Sequence, residues 1–126
     1  MSVELNHTIV HARDREVSAG FLADILGLEV GEVYGPFLPV STSNGVTLDF
    51  ATSDQEVITP QHYAFLVSEK EFDAIFERIR RAGITYYADP YRTRPGEINH
   101  NDGGRGLYFL DPDGHVLEAI TRPYGG

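Results

Sequence analysis

His7, His62 and Glu118 are the side chains of this sequence best suited to act together. Each stands on a β-like run, and the three runs occupy matching ends of a repeated strand-helix-strand plan. Two imidazoles and a carboxylate on separate strands form a donor set that binds a catalytic divalent metal and leaves coordination positions open. Metal-centred chemistry is therefore the leading expectation. The sequence has no cysteine, which removes thiolate ligands, disulfides and cysteine nucleophiles and leaves His, Asp and Glu to hold any ion.

Other residues could serve such a centre. NGVTLDF at 44–50 aligns with DGHVLEA at 113–119, so Asp49 is the counterpart of Glu118. The polar stretch DPYRTRPGEINHNDGGRG places His100 where an acid/base imidazole could meet substrate. Arg92, Arg94 and Arg105 could recognise an anionic group, and Tyr91, with Tyr86 and Tyr87, is a candidate for lining a pocket. Rich in Gly, Pro and charge, residues 86–105 suit an irregular loop at the pocket mouth. His11 shares the His7 face but lies four residues along, about 13 Å at the usual strand rise, too far to ligate the same ion simply.

The elements that must position these residues follow from periodicity. ELNHTIVHA at 4–12 reads as a strand, with His7, Ile9 and His11 on one face. From Asp14 the period changes, and Val17, Phe21, Leu22, Ile25 and Leu26 form a helical stripe that Gly27 stops. EVGEVYG, FLPVSTS and VTLDFATS are then three short β-like runs, with Asn44-Gly45 as the strongest hairpin signal. The pattern restarts at QHYAFLVS. Ser68 and Glu71 resemble a capping box before a helix carrying Phe72, Ile75, Phe76 and Ile79 on one face. ITYYA, GLYFLDP and HVLEAIT complete a second βαβββ unit, the last two runs joined through Asp113-Gly114. The expected fold is α+β: two βαβββ modules, about 1–56 and 60–126, in one domain. One curved sheet with one helix leaves its other face uncovered, so the two mixed sheets should pair around a shared metal-binding cleft.

Composition narrows the function classes. With 126 residues and 41% hydrophobic content, the chain reads as one soluble globular domain. No apolar run approaches the roughly 20 residues of a membrane span, and the N-terminus has no basic start followed by an apolar core. Cytoplasmic location without membrane partners is the default. Ten basic against nineteen acidic residues give a formal charge of -9, unsuited to neutralising phosphates, so nucleic acid is not an expected partner.

NHTIV, FLADILGLEV, QHYAFLV and above all GLYFLDPDGHVLEAI resemble the vicinal oxygen chelate superfamily, which includes glyoxalase I, extradiol dioxygenases, fosfomycin-resistance enzymes and bleomycin-resistance proteins. The resemblance covers nearly the whole chain. It implies a divalent metal (Fe, Mn, Ni, Zn or Co) held by His7, His62 and Glu118, and frequent homodimerisation. Asp49 stands where glyoxalase I carries a fourth ligand, a glutamate, one methylene longer; the resemblance therefore implies a ligand, a base or a supporting acceptor at this position. Tyr108 matches a strand tyrosine that contacts substrate in fosfomycin-resistance enzymes, whose phosphonate-binding cations have no equivalents here. The function implied is a metal-dependent enzyme acting on a small oxygenated organic molecule, glyoxalase-like (lyase or isomerase) or extradiol dioxygenase-like. The alternative is a non-catalytic binding protein of the bleomycin-resistance type.

Overall fold

A computed structural model describes residues 2–125, which form two compact units divided between Ile58 and Thr59. The fold is α+β, with two mixed sheets and two helices.

In the first unit, β1 (His7–Ala12) leads into α1 (Arg15–Leu26), followed by β2 (Phe37–Ser41) and β3 (Thr47–Thr52). Asp14 caps α1 by accepting from the Glu16 amide at 2.9 Å, and Gly27, at φ 73°, ends it in the left-handed conformation that lacks a steric penalty only for glycine. The sheet order is β1-β3-β2, with β1 parallel and β2 antiparallel to β3. Val10, Leu38 and Phe50 share one row of the register, and each is buried on the helix-facing side with Leu22 and Ile25 of α1 in the core. Complete burial stabilises such a side chain by about 1.5–3 kcal/mol.

Two sequence expectations need correction here. EVGEVYG does not form a strand: Val30 bridges Val40 and Tyr34 bridges Phe37, each as an isolated pair. Gly31, Gly35 and Pro36 interrupt the run, so the first sheet has three strands. Val17, expected on the buried stripe, is 55% exposed, while Ser18 and Ala19 are buried. The small residues let the helix sit close to its sheet.

The second unit comprises β4 (His62–Leu66), α2 (Glu69–Arg81), β5 (Tyr86–Tyr87), β6 (Gly106–Leu110) and β7 (Val116–Ile120). Ser68 accepts from the Glu71 amide at 3.1 Å, half of the expected capping box, and Phe72, Ile75 and Ile79 of α2 are fully buried. Phe76 meets Tyr86 edge-on at 5.0 Å. The order is β4-β7-β6-β5, with β4 parallel to β7. At the β6–β7 turn, Asp111 accepts from the amides of Asp113 and His115 at 2.9 and 2.8 Å. His115 is buried there and accepts from the Gln61 amide through Nδ1 at 2.9 Å, a structural role. Among the described residues no helix is long and apolar enough to cross a membrane.

Candidate metal centre

Alternation along the second sheet divides its residues by face. Leu107, Phe109, Leu117 and Ala119 are buried in the core. The intervening positions carry His62, Tyr108 and Glu118. Tyr108 lies directly opposite Glu118 across β6 and β7, and Ala64, two residues beyond His62, lies opposite Glu118 across β4 and β7. Residues two apart on a strand share a face, so the register aims His62 and Glu118 at each other diagonally. Their Nε2 and Oε1 atoms are 3.1 Å apart, with the His62 side chain 49% and the Glu118 side chain 14% exposed.

This pair fits a divalent ion. His62 Nδ1 is 2.9 Å from the Val116 carbonyl oxygen, so Nδ1–H donates there and Nε2 presents its lone pair to Glu118. Two lone-pair atoms facing one another need a cation or a proton between them. Two ligand atoms each about 2.1 Å from one ion can stand no more than about 4.2 Å apart, and the observed spacing is within that reach. A proton would instead give an imidazolium–carboxylate pair, so metal and proton compete for the same place.

Tyr108 supports the carboxylate. Its ring stacks on His62 with centroids 6.0 Å apart and planes inclined by 27°. Burial, then the hydrogen bond to Glu118, then that carboxylate's charge, push the phenol far above its ordinary value. It is therefore a neutral O–H that donates to Glu118.

The first sheet repeats the register. His7 lies opposite Thr47 and Ile9 opposite Asp49, as His62 lies opposite Val116 and Ala64 opposite Glu118. Asp49 is thus to His7 what Glu118 is to His62. Local contacts differ: His7 is exposed, with Nδ1 2.7 Å from the Asn6 side-chain oxygen, and Asp49 is half-buried. Among the described residues, no three His, Asp or Glu side chains gather around one point.

The remaining candidates lie in or beside the 86–105 stretch, which is an organised turn rather than a loose connection. Asp89 accepts from the Thr93 and Arg94 amides, both at 3.0 Å, and from the Thr93 hydroxyl at 2.7 Å. Arg92 stands at φ 61°, unusual for a side-chain-bearing residue. Arg94 pairs with Glu97 at 3.3 Å, Tyr91 is 83% exposed, and His100 precedes a short 3-10 turn, exposed and without a side-chain cap. Arg105 is engaged elsewhere: Nε donates to Glu69 at 2.8 Å, Nη2 to Asp73 at 2.9 Å, and the guanidinium lies over the Phe72 ring. It fastens α2 to the start of β6.

Sequence reading missed Asn99 and Arg122. Both line a cavity of about 400 Å³ that Tyr108 and Glu118 also border. Asn99 is buried, donating to the Ala88 carbonyl at 2.8 Å and accepting from the Asn101 amide at 3.2 Å. No motif marks either residue; Asn99 is placed by its bridge to Gly106 at the start of β6, and Arg122 follows the end of β7, which pairs there with β6.

Comparison with known proteins agrees with this architecture. Residues 4–119 match the model of the Glyoxalase/Bleomycin resistance protein/Dioxygenase superfamily, and the chain belongs to that family. Among its relatives, the solved structure of Oxidase ChaP-H2 is 69% identical, with a TM-score of 0.97 over 100% of this chain and 98% of that one. Oxidase ChaP-H1 is 62% identical, with a TM-score of 0.96 over 99% and 100% of the two chains. The glutathione transferase FosA of Serratia marcescens is 32% identical over 94% of this chain and 80% of its own length.

Proposed function

We propose that this chain is a metal-dependent oxidase acting on a small oxygenated organic substrate, with His62 and Glu118 as two ligands and His7 as the third. The observation that carries the reading is the 3.1 Å approach of His62 Nε2 to Glu118 Oε1, with Nδ1 already satisfied by a backbone carbonyl. A divalent ion at this place supplies Lewis acidity toward substrate oxygens and, as Fe(II), the capacity to activate dioxygen. Val116 holds the imidazole tautomer, and the Tyr108 phenol orients the Glu118 carboxylate. High identity to two proteins named as oxidases, over essentially the full chain, favours oxidative chemistry over glutathione transfer. The two units act as one domain, and the protein works as a homodimer.

A second reading, a lyase or isomerase, draws on one observation. The register equivalence of Asp49 to Glu118 offers another carboxylate to a shared centre, provided the first unit contributes to it.

Metal content and oxygen dependence test these readings. Reconstituted wild type is expected to retain about one divalent ion per chain, and His62→Ala or Glu118→Ala to lose it. Less than about one-tenth of an ion per wild-type chain favours a non-catalytic binder. With Fe(II), catechols and hydroquinones should elicit oxygen uptake. Turnover of the glutathione–methylglyoxal hemithioacetal under anaerobic conditions, without such uptake, selects the lyase.

A further inference from the structure

The cavity of about 400 Å³ in the second unit extends from Glu118 and Tyr108 to Arg122 and Tyr124. That volume lies within the roughly 300–1,000 Å³ range of sites that enclose organic ligands. Its two cationic side chains, Arg105 and Arg122, differ in what they already hold. Arg105 is bound by Glu69 and Asp73 and stacked on Phe72. Arg122 is exposed and interacts with Glu69 through space, while Glu69 itself accepts from Arg105. The guanidinium of Arg122 thus has donors to offer a ligand.

The placement of Arg122 is built into the backbone. A Cβ at Gly104 would stand 2.5 Å from Thr121 Oγ1 and 2.6 Å from Arg122 Cγ, closer than real Cβ atoms approach other heavy atoms. Only glycine lets the Arg122 stem lie against this backbone. The Arg105 amide donates to Thr121 Oγ1 at 2.8 Å, and the Thr121 amide donates to the Arg105 carbonyl at 3.0 Å, joining the two chain segments beneath the arginine. Asp102 and Glu118, also on the cavity wall, disfavour an anion near themselves. Negative charge on a ligand is therefore directed toward Arg122.

We infer that Arg122 is the specificity-determining residue of this site, and that the substrate is an organic anion whose acidic oxygens meet its guanidinium. The assignment rests on the proposal that Glu118 and Tyr108 belong to the reactive centre. A planar fork of N–H donors matches a carboxylate bidentately, so the contact reads both charge and shape. Tyr108 and Ile120, on the same cavity wall, supply apolar surface to the rest of the ligand.

The test compares 2-naphthoate with its neutral isostere 2-naphthamide by fluorescence titration of chelator-treated protein at low salt. Wild type should bind the naphthoate about tenfold or more tightly than the amide, as expected for a charge-assisted hydrogen bond. Arg122→Ala should erase the preference without changing amide affinity, and Arg122→Lys should keep part of it. Arg94→Ala should retain it, and because the protein is chelator-treated, failure of the metal proposal leaves this result readable. Absence of the preference in wild type, or its persistence in Arg122→Ala, overturns the inference.

Discussion

His62 Nε2 and Glu118 Oε1 face each other at 3.1 Å across 56 residues of sequence, because parallel pairing of β4 with β7 sets them diagonally on one sheet face. The Val116 carbonyl holds the far side of the same imidazole. One backbone acceptor thus determines which nitrogen meets the carboxylate, an arrangement that recurs where histidine binds metal.

Tyr108→Phe should leave the number of bound ions unchanged while weakening metal affinity about 10- to 100-fold, the usual effect of removing a hydrogen bond to a ligating group. The phenol donates to Glu118 and has no direct ligand role in this proposal. Competition with a chelator of known affinity measures the change. Equal affinities for the variant and wild type would show that the phenol does not orient the carboxylate for metal.

Acid sensitivity should depend on Glu69. Hydrogen bonds from Thr121 and then Arg105 hold its carboxyl below the ordinary value of 4.5, with burial opposing them. A depressed folded-state value contributes stability that is present above the unfolded value and lost as pH falls through the folded one. On acidification from about pH 5 to about pH 3, the thermal midpoint of wild type should therefore fall more steeply than that of Glu69→Gln. Parallel curves would remove Glu69 from the acid response.

Mixing His7→Ala with His62→Ala tests how a homodimer would assemble its centres. If His7 of one copy serves the His62–Glu118 pair of the other, each mixed dimer contains one intact ligand set and one doubly damaged set. Metal content should then recover to about half the wild-type value. No recovery in verified mixed dimers would assign all three ligands to the same chain, and a monomer across micromolar concentrations would exclude the shared arrangement.

Much of each unit was legible because its signals are local. Ser68 before the α2 stripe, Gly27 after α1, and the Asn44-Gly45 and Asp113-Gly114 turns each act within a few residues of chain, where backbone preference and capping operate. Chemically competent residue types, two histidines and a glutamate on equivalent runs, were legible for the same reason. Tertiary structure decided what depends on register and close packing. Gly31, Gly35 and Pro36 reduced a β-like run to isolated bridges, and close packing buried Ser18 and Ala19 while leaving Val17 exposed. Arg105 was taken up by two carboxylates of α2, more than 30 residues earlier in the chain, whereas Arg122 reached the cavity wall because Gly104 has no Cβ. Periodicity reports which face a residue occupies; it is strand pairing, over tens of residues, that determines which side chains meet there.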